Sequence, residues 1–296
     1  MNLHAGFPFR VAPRFHSHLA WTERLQVNSG VESVGECFYA RGDWRAPDAQ
    51  ELALLLGADA TAVWDAEAVL PSSPAALLTL PSHLRAAWWS VAEGGLRPAS
   101  VRRDRSPLGR YALPSPAPDS SAAGSRSPTA SDDRFDDFVA GVIEFLRFKR
   151  LPLPERCQFD VVASRPGQRS TRLDPTGALA GLRVNCTPAA SAPPGKRLVA
   201  TMNLGDEATH VVLLNLLPTA IAALLPVAER LPVADSNALA LWADFLATVS
   251  DYPLVRVRLD PGDGLWLPDG PVVYDGDTLG KRDIDVALMI QTAGRS

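Results

Sequence analysis

Cysteine is scarce in this chain, and what there is forms no metal-binding motif. The 296 residues include three cysteines, Cys37, Cys157 and Cys186, which lie far apart and form no Cys-x-x-Cys pair. An odd and dispersed set of cysteines argues against a disulfide scaffold and against a zinc ribbon. The stability of the fold must therefore come from burial of apolar side chains, which make up 46% of the sequence.

An excess of positive charge is also missing. The formal net charge is −4, and only three of the 29 basic residues are lysines. Without a basic field there is nothing to attract phosphate backbones or anionic lipids, so we expect neither a nucleic-acid partner nor a membrane partner. The preference for arginine, with abundant alanine and proline, indicates a GC-rich bacterial genome.

Targeting segments and familiar catalytic loops are absent as well. The first 18 residues contain no long apolar run behind basic residues, so they do not read as a secretory signal. The stretch 211–228 is uncharged but contains Asn215, Pro218 and Pro226, and we interpret it as a buried strand followed by a packed helix. No Gly-x-Ser-x-Gly elbow, phosphate loop or Gly-x-Gly-x-x-Gly turn occurs. We expect a cytoplasmic protein.

Three regions differ in composition. Residues 1–112 mix short strands and helices, and a capping-box pattern from Asp48 to Glu51 predicts the start of one helix. Residues 113–133 are rich in proline, serine and alanine, and we predict a disordered insertion there. Residues 134–296 begin with an amphipathic helix and continue as short strands separated by turn residues. We expect the first and third regions to form one compact domain.

The stretch from Pro261 to Thr278 contains two strand-like pieces joined by a Pro-Asp-Gly turn. With the strands before and after it, roughly from Cys157 to Ala293, it resembles the double-stranded β-helix of 2-oxoglutarate/iron oxygenases and, more loosely, that of the cupins. This resemblance implies an α+β protein with a distorted double-stranded β-helix, or jelly roll, in its C-terminal half, flanked by helices.

The metal ligands of that family are not matched in this chain. The resemblance places the His-x-Asp motif at Asn203 and Gly205, the late histidine at Tyr274, and the arginine that grips 2-oxoglutarate at Arg282. All three ligand positions depart from the pattern, so we expect no metal and no cofactor. The alternative is an iron(II)/2-oxoglutarate site with unrecognised ligands.

A fallback metal site has the spacing of the first cupin signature. Its residues are His16, His18 and Glu23. Alternate histidines on a strand point to the same side and can chelate one ion, although two polar edge-strand histidines would give the same pattern.

The polar residues near the expected mouth of the barrel form the candidate site. The predicted catalytic residues are Tyr274, Asp275 and Asp277. The predicted substrate-binding residues are Arg282, Asn203, His210 and Trp266. A carboxylate in an apolar pocket can act as a general base, and arginine can clamp an anionic group.

Three functions remain open on this basis. The first is a metal-independent biosynthetic enzyme that performs acid/base or cyclisation chemistry on a small polar, amino-acid-like metabolite. The second is an iron(II)/2-oxoglutarate-dependent oxygenase, and the third is a non-catalytic binding subunit of a biosynthetic complex. A small molecule is the expected ligand in each case, and a protein partner or a homodimer is compatible with all three.

Overall fold

The computed structural model describes most of the chain. The described residues are 2–11, 21–57, 75–93, 109–112, 130–149, 151, 153, 157–171, 179–184, 197–225, 238–268 and 270–292. The helices are α1 (Ala49–Leu56), α2 (Ser82–Glu93), α3 (Ala130–Phe148), α4 (Pro218–Leu224) and α5 (Ala238–Thr248), and a 3-10 helix covers Trp21–Arg24. The early strands are β1 (Phe9–Val11), β2 (Leu25–Val27), β3 (Val31–Val34), β4 (Cys37–Ala40), β5 (Ala75–Thr79) and β6 (Gly109–Ala112).

The strands of the C-terminal half follow in sequence. They are β7 (Cys157–Ser164), β8 (Arg183–Val184), β9 (Leu198–Asn203), β10 (Thr209–Leu213), β11 (Val255–Leu259), β12 (Asp263–Trp266), β13 (Val273–Asp277) and β14 (Asp285–Thr292). Helices and strands are therefore both present in quantity, and the predicted α+β class is confirmed.

Two sheets contain nearly all of these strands. The seven-stranded sheet has the order β1-β5-β12-β9-β14-β7-β6, and the five-stranded sheet has the order β2-β11-β10-β13-β8. Within the described residues, β1 and β5 pair in parallel, and the remaining pairs are antiparallel. From β7 to β14 the chain passes repeatedly from one sheet to the other, because β7, β9, β12 and β14 belong to the first sheet and β8, β10, β11 and β13 to the second.

Two apolar clusters stabilise this arrangement. The inner core contains residues of both sheets, among them Leu77, Leu213, Val255 and Leu265, and we place it between the sheets. The outer core joins the other face of the seven-stranded sheet to α2 and α3; its members include Leu84, Trp88, Phe138, Val142, Phe159 and Leu288. The seven-stranded sheet is consequently buried on both faces, which is why its strands are rich in apolar residues.

The first helix begins where the sequence predicts it. Asp48 accepts a hydrogen bond from the backbone N–H of Glu51 (2.8 Å), and the Glu51 carboxylate accepts one from the backbone N–H of Asp48 (2.9 Å). This reciprocal pair confirms the predicted capping box. The apolar stripe of α3 packs in the outer core, as its helical spacing requires.

Two other sequence predictions concern longer segments. The uncharged stretch 211–228 begins with β10 and continues into α4, and no described helix is long and apolar enough to cross a bilayer. Of the predicted insertion, residues 113–129 lie outside the described residues, whereas residues 130–133 form the first turn of α3. The helix therefore begins earlier than the sequence boundary suggested.

Candidate functional site

The short turns that lead from one sheet to the other give the pair of sheets two distinct ends. The turns β9–β10, β11–β12 and β13–β14 lie together at one end, which we call the turn end (residues 204–208, 260–262 and 278–284). The opposite end, the loop end, is where the long connection 214–254 and the connection 267–272 leave the sheets. Each predicted site residue can be placed by its strand, its face and its end.

Tyr274 lies on β13 at the loop end. It is opposite Leu213 of β10 and opposite Arg183 of β8 in the strand ladder. Directly opposed residues of an antiparallel pair share one face of the sheet. Tyr274 is 7% exposed and belongs to the inner core, and it lies on the face of the sheet opposite to the one that carries Arg256 and Asp277, so we place its ring between the sheets.

Asp275 and Asp277 do not join Tyr274. Asp277 lies opposite His210 and forms an ion pair with Arg256 (3.0 Å), whose side chain lies over Trp44. One oxygen of Asp275 accepts a hydrogen bond from the backbone N–H of Gly276 (2.7 Å). Successive residues of a strand alternate between its faces, so Asp275 and Asp277 lie on the face of β13 opposite to Tyr274. That is the outward face, which also carries Arg256. The sequence grouping of these carboxylates with Tyr274 is corrected accordingly.

Asn203 and Arg282 lie at the turn end. Asn203 is on β9 of the other sheet, is fully buried, and donates hydrogen bonds to the carbonyls of Glu207 (2.8 Å) and Leu259 (2.9 Å). The backbone N–H of Arg282 donates to the Glu207 carboxylate (2.8 Å), and the Arg282 side chain is exposed. The ligand position expected at Asn203 is therefore not adjacent to Tyr274. The strand neighbour that Tyr274 has on the β8 side is Arg183.

Trp266 also lies away from the inner space. It is 3% exposed and packs in the outer core with residues of α2 and α3. Because Trp266 is buried in the outer core, it has no access to a ligand between the sheets.

His210 occupies the outward face of the five-stranded sheet, between Arg258 and Asp277 in the ladder. Its Nδ1 is buried and has no hydrogen-bond partner among the described residues. Burial lowers the pKa of His210 to about 4, and the positive charges of Arg256 and Arg258 act in the same direction, whereas Asp277 opposes them. The ring is therefore neutral at physiological pH and does not face the space that Tyr274 faces.

Two buried polar residues that the sequence analysis passed over face the inner space. Gln158 and Asp160 alternate on β7 with Cys157 and Phe159, which pack in the outer core. Each of the two is 6% exposed, and the Gln158 amide donates to both carboxylate oxygens of Asp160 (2.7 and 2.9 Å). A buried charge needs such partners because its transfer from water is costly.

The strand register shows that Asp160 lies on the inner face. Asp160 is opposite Met289 of β14, Met289 is opposite Thr201 of β9, and Thr201 is opposite Leu265 of β12. Leu265 is a member of the inner core. The polar groups Asp160, Gln158 and Thr201 on one sheet thus face the same space as Tyr274 and Arg183 on the other.

This set of groups can hold and orient a polar molecule. A carboxylate accepts hydrogen bonds or a proton, a phenol donates one, and a guanidinium binds an anionic group. The Arg183 guanidinium lies 3.5 Å from the Cys37 sulfur at the edge of the sheet. In an apolar interior these interactions are stronger than in water, because the local dielectric constant is low.

The described residues do not by themselves complete an iron site. No group of three histidine, cysteine, aspartate or glutamate side chains comes together in the described part of the chain. Of the fallback ligands, His16 and His18 lie outside the described residues, and Glu23 is exposed on the 3-10 helix. Asn185 and Cys186, which follow β8 in the sequence, also lie outside them.

Comparisons with known proteins give only distant likenesses. No family model matches the chain, and no curated protein matches it. The solved structure of the non-heme alpha ketoglutarate dependent carbocyclase SnoK from nogalamycin biosynthesis is 13% identical, with a TM-score of 0.40 over 74% of this chain and 79% of that one. A Pseudomonas putida prolyl-4-hydroxylase is 8% identical, with a TM-score of 0.34 over 75% of this chain and 93% of that one.

One sequence expectation is overturned by this comparison. The chain was expected to work without a cofactor, whereas the SnoK enzyme is described as alpha ketoglutarate dependent. The prediction that the chain needs no cofactor is therefore wrong, and we do not retain it.

Proposed function

We propose that this chain is an oxygenase-like enzyme built on a double-stranded β-helix, formed by β7 to β14, and that it acts on a small polar, amino-acid-like metabolite. The distribution of these eight strands supports the fold assignment, because four of them belong to each sheet, as a double-stranded β-helix requires. The extra strands β1, β2, β5 and β6 extend the two sheets at their edges.

The observation that carries the proposal is the inward polar set at the loop-end half of the barrel. Most of the inner core consists of aliphatic and aromatic side chains, and the hydrogen-bonded pair Gln158 and Asp160 adds polar groups to the face that borders it. Convergent polar groups in apolar surroundings can fix the orientation of a bound molecule.

The residues have distinct proposed roles. Asp160 accepts a hydrogen bond or a proton from the substrate, and Gln158 holds that carboxylate in place through its amide. Tyr274 donates its phenol hydrogen to the substrate, and Arg183 binds an anionic group from the neighbouring strand.

Iron with 2-oxoglutarate is the cofactor pair that an oxygenase-like fold implies. Bound iron would supply oxidation of an unactivated carbon. The described residues do not fit an iron ligand set, because no three histidine, cysteine, aspartate or glutamate side chains come together among them. We therefore assign no step of the reaction to iron.

The test is ligand binding to matched variants. Calorimetric titration with a panel of free amino acids and 2-oxoglutarate, each with and without added ferrous iron under anaerobic conditions, identifies a ligand. We expect Asp160→Asn and Tyr274→Phe to weaken its binding at least about ten-fold, as loss of a buried hydrogen bond to a charged group does. Asp277→Asn, a buried carboxylate on the outward face, is the matched control.

Two results would contradict the proposal. One is that Asp277→Asn weakens binding as much as Asp160→Asn does. The other is that neither inward variant alters binding of any panel member. The competing binding-subunit function predicts the same affinities but no conversion of the ligand, so product analysis after incubation separates the two.

A further inference from the structure

A cavity lies at the turn end of the sheets, at the opposite end from Tyr274. Its volume is about 330 Å³, which is in the range of small-molecule sites. It is lined by one face of α2 and by the two turns that follow β9 and β11; the lining includes Ser82, Arg85, Trp89, Gly205, Asp206 and Gly262. Positions 82, 85 and 89 recur at helical spacing and therefore lie on one face of α2.

Three hydrogen bonds hold the walls of this cavity together. The buried Trp88 indole donates to the carbonyl of Leu204 (2.9 Å), which ties α2 to the β9–β10 turn. The backbone N–H of Gly262 donates to the carbonyl of Asn203 (2.8 Å), and the backbone N–H of Leu80 donates to the carbonyl of Gly262 (2.8 Å). The turns and the start of α2 are thus fixed relative to one another, so the cavity is formed before any ligand arrives.

Gly262 sets the position of Arg85. Its φ angle is +86°, and a Cβ at this residue would lie 2.3 Å from Cδ of Arg85. Only glycine combines this backbone conformation with so close an approach, so the Arg85 stem rests on the turn. The Arg85 side chain therefore lies against the turn beside the cavity, and the residue is exposed.

The charges of the cavity are not used by the protein itself. Within the described residues, the side chains of Arg85 and Asp206 make no hydrogen bond and no ion pair; the backbone N–H of Arg85 donates to the carbonyl of Pro81 (3.1 Å). Trp89 is 41% exposed, which is unusual for the largest side chain, and it lies one helical turn from Arg85. The cavity therefore presents a cation, an anion and an aromatic plane together.

We infer that this cavity binds a small zwitterion with a planar side chain, of the class of the aromatic amino acids. The ligand carboxylate pairs with Arg85, its ammonium group pairs with Asp206, and its ring packs on Trp89. A simple anion fits less well because Asp206 would repel it, and a simple amine fits less well because Arg85 would repel it. The inference does not depend on the proposed reaction at the loop end.

Three related probes separate the charges. L-phenylalanine carries both, 3-phenylpropionate lacks the ammonium group, and phenethylamine lacks the carboxylate. We expect calorimetry on the full chain to detect binding of phenylalanine and to show at least about ten-fold weaker binding of the other two. Arg85→Gln and Asp206→Asn each lower the affinity for phenylalanine by a similar factor. Trp89→Leu also lowers this affinity, by more than its effect on thermal stability explains.

The matched control is Arg147→Gln, which removes an exposed arginine from α3. This variant should bind phenylalanine like the wild type. Unchanged binding in Arg85→Gln, equal binding of 3-phenylpropionate, or no binding of phenylalanine at millimolar concentration each overturns the inference. If Asp160→Asn abolishes phenylalanine binding and Arg85→Gln does not, the ligand sits at the loop end, so this inference fails while the proposed function stands.

Discussion

The half-buried histidine of β10, His210, makes the stability of the fold depend on acid in a way that can be calculated. The pKa of His210 falls from the ordinary value of 6.5 to about 4 in the folded protein. His210 is therefore protonated at a lower pH in the folded state than in the unfolded state. Between these two values the unfolded chain binds more protons, so stability decreases as the pH falls from about 6.5 toward 4.

The magnitude follows from the pKa difference. Each unit of pKa corresponds to about 1.4 kcal/mol, so the free energy of unfolding should fall by about 2 kcal/mol between pH 7 and pH 5 through this residue alone. Burial of the ring is the main cause of the lowered pKa; Arg256, Arg258 and Lys281 also disfavour a further positive charge, and Asp277 compensates only in part.

The perturbation that tests this is His210→Leu. Leucine has a similar size and cannot titrate, and it removes an Nδ1 atom that has no hydrogen-bond partner in the described part of the chain. At pH 7 we expect the stability to change by less than about 1 kcal/mol. At pH 5 the variant should be more stable than the wild type by about 2 kcal/mol, because it does not suffer the cost of protonation.

The assay is urea unfolding followed by tryptophan fluorescence at a series of pH values. Carboxylates that titrate in the same range affect both proteins equally, so the difference between the two curves isolates His210. His83→Leu, at an exposed histidine of α2, should keep the acid dependence of the wild type. If His210→Leu also keeps that dependence, the ring is not buried as described and the reasoning is refuted.

Further predictions concern stability. Arg24 is buried and forms ion pairs with Asp263 and Asp260. Burial raises the pKa of Asp263, and the hydrogen bonds from Thr79 and Arg24 oppose this shift. In denaturant titrations, Arg24→Met should therefore lower the free energy of unfolding by about 3–5 kcal/mol, and adding Asp263→Asn should recover part of that loss. Asp48→Ala removes the cap of α1 and should cost about 1 kcal/mol, whereas Asp48→Asn should be nearly neutral in the same assay.

Local features of the fold were predictable because their causes are local. The capping box of α1 and the apolar stripe of α3 depend on residues within one or two turns of a helix, and both could be identified in the sequence. The strand pairing was not predictable in the same way. Whether Tyr274 has Arg183 or Asn203 as its neighbour depends on which strands meet across long connections, and the hydrophobic pattern does not specify this.

The inward polar residues illustrate a second limit. Gln158 and Asp160 alternate with apolar neighbours, which is normally typical of a strand with one face in water. Here both faces of β7 are buried, because α2 and α3 cover one face and the second sheet covers the other. The alternation therefore marks a polar patch inside the protein, and only the packing of the helices makes that visible.

The central claim is that the reaction centre lies between the two sheets, beside Asp160 and Tyr274. A crystal structure of the full chain with the ligand found by calorimetry tests it most directly. We predict ligand density within hydrogen-bonding distance of the Asp160 carboxylate and the Tyr274 hydroxyl. Density on the outward face beside Asp277 and Arg256, with the inner space unchanged, would contradict the account.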